Sequence, residues 1–344
     1  MEHEQFNPGA IKDLPDIRDW QYGREFGDAS TPFDWEKGFD IEQELKNVLT
    51  DPNFRIKAKD QNGSFSCGGQ AWSYYAAVLS AYFHAKYEEK SAKFIYSQTF
   101  VGTGGSGGRE NCEIGIKDGW ASEALVPSYE HGIPPNEAFM QRPQDITPEA
   151  RKEARGDMAL GYANVAVNID TIALAAKNSH GLVIGLDGTN NGTWRSAFPL
   201  PPRAGETGIW SHWLYVGKAK LVNGVKHVAV LNSWNETTGE LGWQWLSESY
   251  IRNSIPLYGP SIWSVWTHVY NTHPSALPLF PITLVYGQRN SNVEQLQTML
   301  GIKADGIFGK DTLKAVRAFQ TAHGLLPDGI VGPKTQAALQ ELNK

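Results

Sequence analysis

The pattern of apolar and polar residues changes its period along the chain, and each period predicts a type of element. Helical spacing, or an unbroken apolar run long enough for a helix, predicts helices at residues 40–49, 67–83, 116–126 and 169–178. Short apolar runs predict strands near residues 163–166, 182–186, 212, 228 and 263–266. Helices therefore dominate the first half and mostly antiparallel strands the second, which indicates an α+β fold.

A proline-rich break at residues 273–283 predicts a linker and a second domain beyond it. The second region contains an internal repeat, in which Asp305-Gly306-Ile307-Phe308-Gly309 recurs 23 residues later as Asp328-Gly329-Ile330-Val331-Gly332. Each copy is a turn followed by an apolar helical pattern. The sequence therefore predicts a first domain at 1–272 and a small helical domain at 284–344.

Cys67 is the strongest candidate for chemistry in the first domain. It lies where a polar, glycine-bearing loop becomes a buried helix. A thiol at a helix N-terminus faces unpaired backbone N–H groups and the positive end of the macrodipole, and both favour the thiolate. The alternative is that Cys67 is a small buried residue without a chemical role.

A base and a residue that orients it are both present downstream. His212 begins an apolar strand, and Asn232, followed by Ser233 and Trp234, ends the next one. A cysteine nucleophile needs such partners, which normally lie far along the chain.

These pieces, together with Gln61, resemble the papain family of cysteine peptidases in order and approximate spacing. The resemblance implies a helical lobe and a β-barrel lobe, with Cys67 as nucleophile and His212 as general base and acid. It implies that Asn232 orients the imidazole and that Gln61 donates to the oxyanion beside the Cys67 N–H. Trp234 would shield the bond between His212 and Asn232 from water.

The chain also departs from this family. The family usually has an aromatic residue after the nucleophile and a disulfide cysteine three residues before it, whereas this chain has Gly68 and Ser64. Cys112 resembles the other half of that missing disulfide and would be an inert, unpaired thiol. Gly115 resembles a family glycine whose backbone pairs with an extended substrate, so we expect it to bind substrate.

The repeat region, with residues 291–297 ahead of it, resembles the three-helix peptidoglycan-binding domain found on many cell-wall hydrolases. It carries seven Lys and Arg residues against five Asp and Glu residues, a balance that suits an anionic wall. The alternatives are a module that binds another ligand or one that only packs on the peptidase. Its aspartates are typical of turns and caps rather than of a calcium loop.

Composition excludes several classes of function. The 344 residues have 41% hydrophobic content and a net charge of −6, so neither a basic nucleic-acid surface nor a membrane span is expected. The two cysteines provide no disulfide framework, and we expect no cofactor or metal. The N-terminus lacks a visible secretory signal, and the length before Cys67 leaves little room for a long inhibitory propeptide. We expect a monomer that is made in the cytoplasm and acts at the bacterial wall or outside the cell.

Three functions fit these observations. The leading one is a cysteine endopeptidase, similar to a phage lysin, that hydrolyses peptidoglycan peptides. The second is a wall-tethered proteinase that cuts protein substrates. The third, a wall-binding or virion structural protein with an inactive papain-like domain, is supported only by Gly68 and Ser64.

Overall fold

The computed structural model describes two compact units, Met1–Val269 and Tyr270–Lys344. The described residues are 9–13, 16, 19–23, 31–102, 104–129, 136–255, 259–269, 280, 284–325, 327–332, 335–336 and 338–339.

The helices of the described residues lie mainly in the first half of the first unit and in the second unit. They are α1 (Ile41–Val48), α2 (Cys67–His84), α3 (Ala92–Thr99), α4 (Gly108–Lys117), α5 (Glu137–Met140), α6 (Pro148–Ala154), α7 (Ile169–Asn178), α8 (Glu248–Arg252), α9 (Ser291–Met299) and α10 (Lys310–Ala322), with a 3-10 turn at Pro143–Asp145.

The strands of the described residues all belong to the first unit. They are β1 (Ala10–Ile11), β2 (Trp20–Gln21), β3 (Phe39–Asp40), β4 (Ser106–Gly107), β5 (Gly161–Asn164), β6 (Leu182–Gly188), β7 (Trp210–Val222), β8 (Val225–Leu231), β9 (Trp243–Ser247), β10 (Ser254–Ile255), β11 (Gly259–Pro260) and β12 (Ile262–Val269).

Helix α2 is the centre of the first unit. Every residue from Cys67 to Ala81 is buried, because the run carries small and aromatic side chains with no charge. Trp72 makes an edge-to-face contact with Trp213 of β7 at a ring-centroid distance of 5.1 Å. This contact joins the helical part to the sheet and places the start of α2 beside β7.

The main sheet has the strand order β2-β5-β12-β6-β7-β8-β9, and β3 pairs with the long strand β7. Its pairs are antiparallel except for the parallel pair of β2 and β5. Strand β6 is buried throughout, and β7 and β8 are buried at most positions, so their register is strongly specified. The sheet therefore holds His212 on β7, and Asn232 just after β8, in fixed positions.

The second unit packs helices around a small apolar core. The buried core residues are Phe280, Leu284, Val293, Leu296, Phe308, Val316, Phe319, Val331 and Leu339. Residues 335–336 and 338–339 are also helical, in the place of the predicted third helix. Phe280 falls inside the predicted linker at 273–283, but its buried side chain belongs to this core; the rest of that range lies outside the described residues.

Gln297 and Gln320 organise the two copies of the repeat in the same way. The Nε2 of Gln297 donates to Asp305 Oδ1 at 2.8 Å and to Thr312 Oγ1 at 2.9 Å. The Nε2 of Gln320 makes the matching bonds to Asp328 Oδ1 at 2.8 Å and to Thr335 Oγ1 at 3.1 Å. Each aspartate also accepts the N–H of the isoleucine two residues later, which fits the predicted turn role.

The predicted helix at 116–126 is wrong. Helix α4 begins eight residues earlier, at Gly108, and ends at Lys117. Asp13 accepts hydrogen bonds from the backbone N–H groups of Gly108 and Arg109 at the start of α4. It lies 95 residues before Gly108 in the sequence. Gly119 has a φ of +77°, which ends any helical continuation. The glycine-rich stretch at 102–108 is therefore a loop only as far as Gly105.

No helix in the described part of the chain is both long and apolar enough to cross a membrane. Among the same residues, no group of three or more His, Cys, Asp or Glu side chains is arranged to hold a metal ion.

Candidate active site

Cys67 is the first residue of α2, as the sequence predicted. Ser66 precedes the helix but makes no side-chain cap, so the first N–H groups of α2 are left for other acceptors. Burial raises the pKa of the Cys67 thiol, while the backbone N–H groups of Trp213, Gly68 and Cys67 act to lower it. The Trp213 contact puts the thiol next to the residue that follows His212.

The segment that carries Gln61 is tied directly to the segment that carries Asn232. Asp60 and Trp234 form an antiparallel bridge, and the N–H of Gln61 donates to the carbonyl of Ser233 at 2.8 Å. The hydroxyl of Ser233 donates to Gln61 Oε1. These bonds bring together pieces that lie 172 residues apart in the sequence.

The orientation of Asn232 is set by a chain of hydrogen bonds that begins at two backbone carbonyls. The Nε2 of Gln244 donates to the carbonyls of Trp194, at 2.8 Å, and Ser196, at 3.0 Å. Carbonyls only accept, so the Oε1 of Gln244 must face the other way, where it accepts from Asn232 Nδ2 at 2.7 Å. Asn232 therefore presents Oδ1 to the imidazole.

This chain of bonds also sets the tautomer of His212. The His212 Nε2 lies 3.0 Å from Asn232 Oδ1, so Nε2 carries the proton and Nδ1 has a free lone pair. The Nδ1 is buried and has no hydrogen-bond partner among the described residues. Trp234 stacks on the imidazole at a centroid distance of 4.8 Å and is 7% exposed, in the position expected of a shield for the bond to Asn232.

Gln61 is buried in the loop that leads to Cys67 and is held at several points. Its Nε2 donates to the Ser64 carbonyl at 2.8 Å, which uses one of its two protons. Ser64, which stands where the family has a disulfide cysteine, donates its hydroxyl to the Gln61 carbonyl at 2.7 Å. A hydrogen bond thus braces this loop in place of a covalent bond, and Cys112 is a free, buried thiol.

Residues 9–13 lie across Cys67, a feature that the sequence did not predict. Gly9 lies close to the Cys67 sulfur, since a Cβ added there would be 2.9 Å from it, and the Gly9 carbonyl accepts from Ser106 N at 2.9 Å. Ala10 and Ile11 then pair with Ser106 and Gly107 as the parallel strands β1 and β4. Cys67 and His212 are consequently 0% and 1% exposed.

Burial in this closed form opposes ionisation of both groups. It raises the pKa of the Cys67 thiol to about 12, despite the surrounding N–H groups. It lowers the pKa of His212 to about 4, with the bond to Asn232 acting in the opposite sense. The expectation of a lowered thiol pKa is therefore wrong for the covered site, because loss of water outweighs the helix N-terminus. Displacement of residues 9–13 would readmit water and move both pKa values back.

Gly115, which was predicted to bind substrate, has its backbone engaged within the fold, and its substrate-binding role stays a prediction. It belongs to the interior of α4, and its carbonyl accepts from the N–H of Ala159 at 2.9 Å. A Cβ at this position would overlap the ring of Trp120 and crowd His268, so the glycine is required for packing. The backbone that pairs with an extended segment is Ser106–Gly107.

Gln244 and Asp187 are two further residues near the site that the sequence analysis missed. Gln244 lies between Trp243 and Trp245 in β9, and a fully buried polar residue in an apolar strand is the signal that could have identified it. Asp187 ends the apolar run of β6 and is 2% exposed.

Comparison with solved structures shows the fold of the first unit. Xylellain, a cysteine protease from Xylella fastidiosa, matches with a TM-score of 0.60 and 20% identity over 78% of this chain and 97% of that chain. The proCathepsin B S9 of Trypanosoma congolense matches with a TM-score of 0.55 and 13% identity, over 77% and 87% of the two chains. Procathepsin L 3 of Tenebrio molitor larval midgut matches with a TM-score of 0.52 and 15% identity over 74% of this chain and 76% of that chain. The first unit therefore has the papain-like fold of these proteases.

The second unit has a match of its own. Residues 289–339 match the family described as "Putative peptidoglycan binding domain". No curated protein matches the chain in sequence. The chain thus joins a papain-like unit to a sequence of the peptidoglycan-binding type.

Proposed function

We propose that this protein is a cysteine endopeptidase that hydrolyses peptide bonds in bacterial peptidoglycan. The observation that carries the proposal is the oriented chain from Gln244 through Asn232 to His212. It leaves the lone pair of His212 Nδ1 without a hydrogen bond among the described residues, and His212 lies on the strand that contacts Cys67. The papain-like fold and the position of Cys67 at the start of α2 support the same chemistry.

In the proposed mechanism, His212 Nδ1 removes the proton from Cys67, and the sulfur attacks the substrate carbonyl carbon. The Cys67 N–H and the second Nε2 proton of Gln61 donate to the oxyanion that forms. The imidazolium then gives its proton to the leaving amine, and an acyl-enzyme remains on the sulfur. Water, deprotonated by His212, hydrolyses this thioester and releases the second product.

The second unit supports peptidoglycan as the substrate. A wall-binding module holds the peptidase close to a substrate that cannot diffuse, and this raises the local concentration of cleavable bonds. The role would be that of a lysin, which degrades the bacterial wall. The alternative, a wall-tethered proteinase that cuts proteins, is favoured by the solved structures of similar fold, which are proteases.

The test incubates the wild type, Cys67→Ala and Cys112→Ala with purified peptidoglycan and, separately, with unfolded casein. New amino groups are measured in each reaction. Cys112→Ala is the matched control, because it removes the other free, buried thiol. We expect the wild type and Cys112→Ala to release amino groups from peptidoglycan and Cys67→Ala to release none.

Other outcomes point elsewhere. Release from casein alone would replace the lysin with a wall-tethered proteinase. Release by Cys67→Ala equal to that of the wild type would remove Cys67 from the mechanism. No release from either substrate, even after displacement of residues 9–13, would favour a structural wall-binding protein.

A further inference from the structure

Asp187 is a buried carboxylate at the edge of the candidate active site. It is paired across the sheet with Ser211, the residue before His212. Its Oδ1 accepts from the Ser211 hydroxyl at 2.8 Å and from Trp263 Nε1 at 3.0 Å. Its Oδ2 accepts from Lys12 Nζ at 2.7 Å. Two residues of the same sheet therefore hold Oδ1 of the carboxylate in place, while Oδ2 pairs with the Lys12 ammonium.

The cation comes from the segment that covers the nucleophile. Lys12 follows directly after the strand β1, which pairs with Ser106–Gly107. Its ammonium lies 5.5 Å from the centroid of the Trp263 ring, so a carboxylate and an aromatic face both contact it. The side chain of Lys12 is 44% exposed, whereas that of Asp187 is 2% exposed.

Residues 9–13 must leave before a substrate can react. A Cβ at Gly9 would lie only 2.9 Å from the Cys67 sulfur, and the Gly9 carbonyl is hydrogen-bonded to the N–H of Ser106, so this segment occupies the space beside the thiol that a substrate would need. When the segment leaves, Asp187 Oδ2 loses its ion-pair partner. A buried carboxylate without a partner is costly, and a substrate cation in the same place would restore the pair.

We infer that Asp187 and Trp263 form a subsite for a cationic side chain of the substrate, which Lys12 fills in the covered form. An extended peptide that pairs with the backbone of Ser106–Gly107 would bring one side chain to this subsite. The inference rests on the proposed function and names its substrate class: peptides that carry a side-chain ammonium or guanidinium group near the cleaved bond. A diamino acid with a free amino group in a wall peptide belongs to this class.

The test uses peptides that are identical except at one scanned position, which holds lysine, norleucine or glutamate. For the wild type, we expect kcat/KM for lysine to exceed that for norleucine by about 10-fold at one position, with glutamate lowest. This comparison needs no variant. Equal values for lysine and norleucine at every position would overturn the inference.

Variants then locate the source of the preference. Asp187→Asn removes the charge with little change of shape, and we expect its lysine-to-norleucine ratio to fall to about one. Asp170→Asn is the matched control: Asp170 also pairs with a lysine, Lys226 at 2.7 Å, and with a tryptophan N–H, that of Trp35 at 2.7 Å, but it lies on α7. The control should keep the wild-type ratio. An unchanged ratio in Asp187→Asn would also overturn the inference.

A binding measurement separates this inference from the proposed function. Titration calorimetry with Cys67→Ala reports peptide binding without turnover. Tighter binding of the lysine peptide to Cys67→Ala than to the double variant Cys67→Ala, Asp187→Asn supports the subsite even if the wild type cleaves nothing. Equal binding of the lysine and norleucine peptides to Cys67→Ala contradicts it, whatever the wild type cleaves.

Discussion

Gln244 connects the protein backbone to the candidate catalytic imidazole through Asn232. Two carbonyls fix its amide, its amide fixes Asn232, and Asn232 fixes the proton on His212. The sequence predicted Asn232 and His212 because their residue types and spacing match a known family. Gln244 could have been noticed as a polar residue within an apolar strand, but its role could not be predicted, because the carbonyls that fix its amide come from a loop about 50 residues earlier.

Replacement of this glutamine tests the orientation of the imidazole. In Gln244→Leu, Asn232 Nδ2 loses its acceptor, and only the Ser233 N–H, which donates to Asn232 Oδ1 at 2.7 Å, still opposes a turn of the amide that would favour the wrong tautomer of His212. We expect kcat to fall by about 10- to 100-fold with a smaller change in KM, because the groups that react are retained but misplaced. Steady-state kinetics on a soluble peptide would measure this.

Gln43→Leu, at an exposed position on α1, is the control and should leave both constants unchanged. Wild-type kcat in Gln244→Leu would mean that Asn232 keeps its orientation by other contacts.

The element that most changes the view of the site is the strand formed by Ala10 and Ile11. A sequence pattern of two residues cannot predict a strand, and its partner β4 lies about 95 residues away. The same segment explains the misplaced helix, because Asp13 accepts the first N–H groups of α4. Longer elements such as α7 and β6 were predicted well, because their apolar periodicity reflects burial within the element itself.

A methyl group at Gly9 tests whether this segment protects the thiol. A Cβ there would overlap the carbonyl of Phe65 and lie 2.9 Å from the Cys67 sulfur. We therefore expect Gly9→Ala to displace the segment and to raise the rate of Cys67 alkylation by iodoacetamide at least 10-fold. Peptide mapping after timed alkylation would measure the rate at Cys67 and at Cys112.

Cys112 is the internal control in the same molecule, and its rate should not change. Gly102→Ala is a second control, since a Cβ at Gly102 meets no atom within 4 Å, although its φ of +55° adds some strain. If Gly9→Ala left Cys67 as slow as in the wild type, residues 9–13 would not limit access.

The docking of this segment should depend on pH through Asp13. Burial, assisted by Glu110, raises the pKa of Asp13 from 3.8 to about 6, although Arg109 and the α4 N–H groups oppose the shift. The docked state therefore binds the proton more tightly than the free segment does. Docking of residues 9–13 is strongest below about pH 4. Its equilibrium constant falls by roughly 10- to 100-fold as the pH rises to about 6.

A thiol reagent that remains active in acid, such as 2,2′-dithiodipyridine, would follow this change at Cys67. The ratio of the wild-type rate to the Asp13→Asn rate cancels the titration of the thiol itself. We expect the ratio to rise between pH 4 and 6 and then to level off. A ratio that stayed constant or fell across this range would contradict the role of Asp13.

For the whole molecule, the division into two units means that a substitution can destabilise one unit and leave the other folded. The repeat Asp-Gly-Ile-x-Gly predicted the second unit from sequence, because the turns need those residue types. The glutamine eight residues before each aspartate was not predicted, since its role appears only when the helix and the turn are packed together.

Gln297→Leu should therefore damage the second unit alone. It removes bonds to Asp305, Gly306 and Thr312, and we expect the unit's free energy of unfolding to fall by about 2–4 kcal/mol. Sedimentation with purified peptidoglycan should show reduced binding, while kcat/KM for a soluble peptide stays at the wild-type value. Gln295→Leu, exposed on the same helix, is the control. A parallel loss of soluble-peptide activity would contradict the independence of the two units.

The burial of Phe280 determines where the second unit can be cut from the chain. The sequence match begins at residue 289, but Phe280 is fully buried in the core and its N–H donates to Gln336 Oε1 at 2.8 Å. A fragment that starts at the match would lack both Phe280 and Leu284, which bridges to Val331. Loss of one large core side chain costs about 3–5 kcal/mol, which is comparable to the whole stability of a domain this small. An expressed wall-binding fragment should therefore start before Phe280, and a failed shorter fragment would say nothing about affinity for the wall.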